Sequence, residues 1–273
     1  MSRSLLITTG IVAVGLLAEF ALPIVRARNI DKFMQGTALP VRSSSDGARM
    51  PVVVELFTSE GCSDCPPADT LLEKLDRSQP VANAQVIVLS EHVDYWDDIG
   101  WRDPFSSHGY SERQNEYASH FGLGSVYTPQ MVVDGRIQFV GSDERGALRA
   151  IESAARAQKI PVTLSVARFD GNNVTLRLET GPAPTDTALL VAIEDESDVS
   201  NVSRGENSGR TLKHVAVVRE MTQVGTVAHG QNFAKDVRVK FTRNNNLNYR
   251  VVALLQDPSS GAILGAGSAR LQN

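Results

Sequence analysis

Two cysteines stand three positions apart, in Gly61-Cys62-Ser63-Asp64-Cys65-Pro66, and the 273-residue chain holds no other thiol. With no further partner for either one, there is no disulfide framework to build. A loop closed over so few residues adds little by restricting the unfolded chain, because that effect grows with loop length. The pair is therefore read as chemistry before staple. Reversible oxidation is the leading reading, with metal ligation and a disulfide without turnover as alternatives.

The flanking elements must position that pair. Val52 to Phe57 is β-branched and almost continuously apolar, as a strand buried on both faces requires. Beyond the cysteines, Leu71, Leu72 and Leu75 fall at helical spacing within 68–75, and Val86 to Leu89 is a second buried strand. Strand, helix and strand in about 40 residues predict a right-handed βαβ unit with parallel strands. The stretch from Glu91 to Phe121 is aromatic and polar, with a helix expected over 111–120. Asp134-Gly135 between Met131–Val133 and Ile137–Val140 is a hairpin signal. An amphipathic helix is expected over 144–158.

From Pro161 the texture turns all-β. Strands are expected at 162–169, 174–178, 188–193, 212–219, 237–241, 249–255 and 263–269, separated by turn residues, the pattern of a β-sandwich. The expected architecture is an α/β domain at 51–159 followed by an all-β, sandwich-like domain at 160–273. A length of 273 residues makes two domains the natural expectation, and 42% hydrophobic residues are ordinary for a globular protein with a full core. A formal charge of −4 leaves no electrostatic footprint for nucleic acid. Arg3 precedes an uncharged run from Leu5 to Ala18, and Val25-Arg26-Ala27 offers a small-residue cleavage site. Residues 1–27 thus read as a signal peptide or a membrane anchor, and 28–50 as a polar linker. Either version predicts a periplasmic or secreted protein, with a membrane tether through this segment in the second case.

The N-terminal order of elements resembles the thioredoxin superfamily over roughly residues 50–158. The runs at 55–69 (Glu-Leu-Phe-Thr-Ser-Glu-Gly-Cys-Ser-Asp-Cys-Pro-Pro-Ala-Asp), 92–96 (His-Val-Asp-Tyr-Trp), 127–135 (Tyr-Thr-Pro-Gln-Met-Val-Val-Asp-Gly) and 205–210 (Gly-Glu-Asn-Ser-Gly-Arg) extend the likeness to nearly the whole mature chain. They are similar to the signatures of a family of exported, thioredoxin-like bacterial proteins classed as a domain of unknown function. That resemblance implies a thioredoxin-like α/β domain and export, and no established reaction. It also implies a cis proline at Pro129, facing the cysteines and leaving the Thr128 backbone to pair with an extended substrate.

Site roles follow from the chemistry of each position. Cys62, beside a helix N-terminus, is the attacking thiolate and Cys65 the resolving thiol. Gly61 stands where thioredoxins carry a tryptophan, Asp64 opposes thiolate formation, and Pro66-Pro67 start the helix late. Glu55, in the strand leading to the pair, is either a general base for Cys65 or a structural glutamate. His92 and Asp94 follow the second strand at its C-terminal end, where ligands of open sheets gather. They are assigned with Thr128 and Pro129 to substrate binding. The loop 204–210 is either a binding loop or an ordinary hydrogen-bonded one.

The leading expectation is an exported thiol–disulfide oxidoreductase acting on a protein or small-molecule thiol or disulfide, with no cofactor and no nucleic-acid partner. The alternatives are a copper- or zinc-handling assembly factor using Cys62, Cys65 and His92, and a non-catalytic interaction module.

Overall fold

The structure is a computed structural model that describes residues 49–170, 172–241 and 248–271. The signal or anchor segment, most of the linker and Asn244-Asn245-Asn246, turn residues between the strands expected at 237–241 and 249–255, lie outside them. The described residues fall in one compact unit.

The chain begins as expected. β1 (Met50–Thr58) leads through the cysteine turn to α1 (Pro66–Ser78), and β2 (Ala84–His92) returns parallel to β1. α2 (His108–Phe121) follows, then the hairpin of β3 (Gln130–Val133) and β4 (Ile137–Val140), and α3 (Glu144–Ala154). Asp134 and Gly135 take φ of +50° and +62°, the left-handed pair of a tight turn that Arg136 N–H closes by donating to the Val133 carbonyl at 3.0 Å. The rest is β: β5 (Val162–Asp170), β6 (Asn173–Thr180), β7 (Thr187–Asp195), β8 (Asp198–Asn201), β9 (Thr211–His214), β10 (Val217–Val227), β11 (Phe233–Lys240), β12 (Tyr249–Gln256) and β13 (Ile263–Leu271).

The expected fold class, a thioredoxin-like α/β domain with a separate β-sandwich, is overturned. One mixed sheet of eight strands runs through both halves in the order β13-β12-β7-β10-β2-β1-β3-β4. The seam is the parallel bridge of Val217 to Ser90, reinforced by the Ser90 N–H donating to the Ala216 carbonyl at 2.8 Å. The run expected as one strand over 212–219 is two, β9 and β10, because Ala216 turns the corner with φ +53°. Strands β11-β6-β5 form a small second sheet, and β8-β9 a two-stranded ribbon.

Alternation explains the layers. Val52, Val54 and Leu56 of β1 meet Leu71, Leu72 and Leu75 of α1 and Ile151 of α3 on one face. Val53 and Ile87 on the other face share a cluster with Tyr110 of α2 and with Ala192, Val252 and Leu254 from the C-terminal half. Leu189, Val191 and Ile193, one residue out of phase, cover Leu176 and Leu178 of the small sheet. A strand such as β7, apolar on both faces, needs cover on both sides, and one cover comes from the N-terminal half. The change of texture at Pro161 marks the end of the helices and not the end of a core.

A candidate redox site at the Cys62–Cys65 turn

Cys62 and Cys65 are joined by a disulfide, with Cα atoms 5.5 Å apart. Cys65 is the N-cap of α1, and Pro66 and Pro67 fill the first two helical positions, where a missing N–H costs nothing. The turn is held by its own backbone. Cys62 N–H donates to the Ser59 carbonyl and Cys65 N–H to the Cys62 carbonyl, both at 3.2 Å, while the Ala68 and Asp69 N–H groups donate to the Cys65 carbonyl.

Neither cysteine is open to a partner, at 1% and 0% exposure. Part of the cover comes from the loop between β8 and β9. There the Asn207 amide donates to the carbonyls of Glu60 and Cys62, both at 2.9 Å, and the Glu206 carboxylate accepts from Ser63 N–H at 2.9 Å. Gly205 and Gly209 bracket this strap with φ of +76° and +81°. A Cβ on Gly205 would lie 3.0 Å from that of Trp101.

Trp96 links the turn to the proline loop. A Cβ on Gly61 would meet the Trp96 Cβ at 3.0 Å, and Trp96 Nε1 donates to Thr128 Oγ1 at 2.8 Å. Gly61 therefore makes room for an indole supplied from elsewhere in the chain. The Thr128–Pro129 bond is cis. Between this loop and the turn lies a cleft of about 480 Å³ lined by Ser63, Asp64, Pro67, Tyr127, Thr128, Pro129, Val140 and Ser142. Cys62 and Cys65 flank two of its lining residues, Ser63 and Asp64, in the chain but do not line it themselves.

Behind the turn sits a buried polar cluster. Glu60 is its hub: its carboxylate accepts from Trp101 Nε1 at 2.7 Å and Ser200 Oγ at 3.1 Å and pairs with His214 Nε2 at 3.1 Å. Its backbone N–H donates to Asp103 Oδ2 at 2.8 Å, and the same oxygen pairs with His92 Nδ1 at 2.7 Å. Asp69 accepts from Thr58 Oγ1 at 3.0 Å and lies 3.9 Å from His214 Nδ1. The two imidazoles meet edge to face at 4.8 Å, and both pack against Phe105. Burial pushes the Asp69 carboxyl above its ordinary value, against the pull of His214 and His92. Burial opposes a charge on His214, yet Glu60, Asp69 and Asp103 hold its pKa above the usual imidazole value. For Asp103 the cost of burial is outweighed by His92, which holds the carboxyl below its ordinary value.

The sequence-assigned residues thus divide. Thr128 and Pro129 border the cleft, and His92 lies in the buried cluster with its ring closed off by Asp103. Asp94 sits at the start of α2, where it accepts from Ser111 Oγ at 2.5 Å and pairs with His108 at 3.1 Å. Against the cost of its burial, these partners hold its pKa below the ordinary value. Glu55 points to the opposite face of the sheet from α1. There it accepts from Arg113 Nε and Tyr117 OH, both at 2.6 Å, so its placement is that of the structural glutamate. Among the described residues, no group of three or more His, Cys, Asp or Glu side chains is arranged to hold a metal ion. Sequence reasoning gave no role to Glu60, Asp69 or Asp103, and singled out Asn207 only as part of the loop 204–210. The available signals were the helical i, i+4 spacing of Cys65 and Asp69 and the position of Asn207 in the run 205–210.

A family model described as "Protein of unknown function (DUF1223)" matches residues 53–256, a stretch that includes the cysteine turn, the cis proline and the strap. The chain is similar to the crystal structure of protein AGR_C_4864 from Agrobacterium tumefaciens. That likeness is 28% identical with a TM-score of 0.63, over 83% of this chain and 99% of that one. A slighter likeness, on which nothing rests, is to the sporulation control protein Spo0M from Bacillus subtilis (15% identity, TM-score 0.26, 41% and 47% of the two chains). No curated protein matches the chain.

Proposed function

The chain belongs to the DUF1223 family, whose description assigns no reaction, so its activity has to be argued from its own residues, and we propose an exported thiol–disulfide oxidoreductase. The observation that carries this reading is the Cys62–Cys65 disulfide, held at the start of α1 beside the cleft that Thr128 and Pro129 border. A substrate thiolate attacks Cys62, the S–S bond breaks, and Cys65 leaves with the electron pair. In the second step another substrate thiolate attacks the substrate sulfur of the mixed disulfide, so the substrate leaves as a disulfide and Cys62 is released as a thiolate. In the opposite direction reduced Cys62 attacks a substrate disulfide, one substrate thiolate leaves, and Cys65 attacks Cys62 to release the other. The substrate class is a protein or small-molecule thiol or disulfide. Export rests on the N-terminal segment's pattern and agrees with the use of a disulfide, which persists in oxidising compartments.

Because Cys62 is covered in the oxidised state, exchange requires the strap at 205–210 to lift. The same burial favours a second reading, a disulfide that holds the turn and never turns over. Equilibration in buffers of graded dithiol-to-disulfide ratio, followed by alkylation and mass measurement, separates them. The oxidoreductase reading expects a reversible two-electron couple and catalysis of insulin disulfide reduction. A bond that resists dithiols until the protein unfolds leaves only the static reading.

A further inference from the structure

Opening this disulfide creates a thiolate where water does not reach. Cys65 is wholly buried, and a buried thiolate is costly, so the sulfur needs a proton from inside the protein. Glu55, the acid closest in sequence on β1, faces away toward Arg113 and Tyr117. On the correct face, one helical turn beyond Cys65 and on the same side of α1, stands Asp69. We propose that Asp69, backed by His214, supplies the proton to Cys65 when the disulfide is opened and takes it back when the disulfide reforms. This inference rests on the thiol–disulfide reading above.

The step balances. A substrate thiolate bonds to Cys62 Sγ, the S–S pair passes to Cys65 Sγ, and the Asp69 carboxyl gives its proton to that sulfur. The resulting carboxylate faces His214, which is positioned to compensate the charge or to pass on a proton of its own. In reverse, the Asp69 carboxylate takes the Cys65 proton as that sulfur attacks the mixed disulfide, and the substrate leaves as a thiolate.

Three features of the cluster fit this use. The groups facing Asp69 and His214 come from every neighbouring element: Thr58 from β1, His92 from β2, Glu60 from the cysteine turn and Asp103 from the following loop. Beyond His92 lie Asp195 and its partner Arg219, which covers the Phe105 ring. The cluster also has unused capacity, since His214 Nδ1 and His92 Nε2 are buried with no hydrogen-bond partner. Finally, burial favours the protonated form of Asp69, and Glu60 with Asp69 and Asp103 favours the imidazolium of His214.

The test is the rate at which dithiothreitol reduces the full-length protein, between about pH 5 and about pH 9, divided by the thiolate concentration. It is read where the rate rises linearly with dithiothreitol. The wild-type value is expected to fall at least about tenfold as the donor empties with rising pH. Asp69→Asn is expected to slow reduction at least about tenfold near the acid end and to flatten the profile. His214→Gln, which carries the test alone should Asp69→Asn not fold, is expected to move the profile's midpoint. A structural role would lower stability without changing the profile's shape. Variant profiles parallel to the wild type, or a flat wild-type profile, overturn the proton assignment while leaving the redox reading intact. A disulfide that native conditions never reduce sinks both.

Discussion

Asn207 reaches across 145 residues of sequence to donate its side-chain amide to the backbone carbonyl of Cys62 at 2.9 Å, and it does so from a fully buried position. The second amide hydrogen goes to the Glu60 carbonyl, and Arg210 Nη1 donates to its oxygen at 3.0 Å, so every polar atom of the side chain is used. A small side chain here takes the Asn207 donor from the Glu60 carbonyl and leaves the Cys62 carbonyl with only the 3.2 Å bond from Cys65 N–H. Asn207→Ala is expected to lose about 2 kcal/mol of stability in urea and to speed dithiol reduction of Cys62–Cys65 at least about tenfold, a factor worth about 1.4 kcal/mol of freed opening. Unchanged reduction kinetics in a destabilised variant would show that the strap does not gate the disulfide.

The proline loop and α1 approach each other over a glycine. A Cβ at Gly141 would lie 2.8 Å from Leu56 Cδ1, 3.0 Å from Pro129 Cβ and 3.1 Å from Ala68 Cβ, while Gly141 N–H donates to the Pro129 carbonyl at 2.9 Å. No neighbour in that set is the end of a long flexible side chain. Gly141→Ala is expected to cost about 1–3 kcal/mol by overpacking and to spread the wall of the cleft. Thermal melts check the first, and tryptophan fluorescence from Trp96, which is tied to Thr128, checks the second. A melt indistinguishable from wild type would mean the loop yields freely.

Much of the local structure was legible, because it is written in periodicity. The buried strands β1 and β2, the Asp134-Gly135 hairpin and the helical spacing of Leu71, Leu72 and Leu75 all follow from side-chain pattern and turn chemistry. The fold class was not. An apolar strand such as β7 announces burial on both faces but not which element provides the cover. The seam therefore hangs on one bridge at Val217 and Ser90, which no local pattern encodes. The site divides in the same way. The cysteine pair and the proline carry their own spacing signals, whereas Glu60, Asp103 and His214 become a cluster only when three distant segments converge. The four sequence runs singled out at 55–69, 92–96, 127–135 and 205–210 do meet around the disulfide.

His214 predicts a stability difference with a definite sign. Its folded pKa lies above the unfolded value of about 6.5, so the stabilisation it brings is complete below that value and is lost as pH rises through the folded one. Asp103 behaves oppositely. Its folded pKa is held down, so its contribution is present above about 3.9 and is lost as pH falls through the folded value. Urea unfolding of the oxidised protein across this range checks both. The gap between wild type and His214→Gln is expected to narrow toward alkaline pH, and the gap between wild type and Asp103→Asn toward strongly acid pH. A His214→Gln gap that widens with pH would contradict the placement of His214 among carboxylates.

Glu55 provides the contrast between a buried acid that holds the fold and one that serves the disulfide. It shares Arg113 with Glu91, which is fully buried and has both carboxylate oxygens without a hydrogen-bond partner. Burial and the nearby Glu55 charge push the Glu91 pKa well above its ordinary value. Two acids thus face one guanidinium, and Glu55, with the short contacts to Arg113 and Tyr117, is the one held as the partner. Glu55→Gln removes that charge and leaves Glu91, 3.6 Å from Arg113, to take its place incompletely. The expected loss is about 3 kcal/mol, at the low end for breaking a buried pair because a second carboxylate is at hand. Dithiol reduction of Cys62–Cys65 is expected to keep its wild-type pH profile, since the sheet separates this network from α1. Should that profile shift in Glu55→Gln while Asp69→Asn leaves it untouched, the proton would be travelling through the sheet, and the acid on the far face would have to be reinstated as the partner of Cys65.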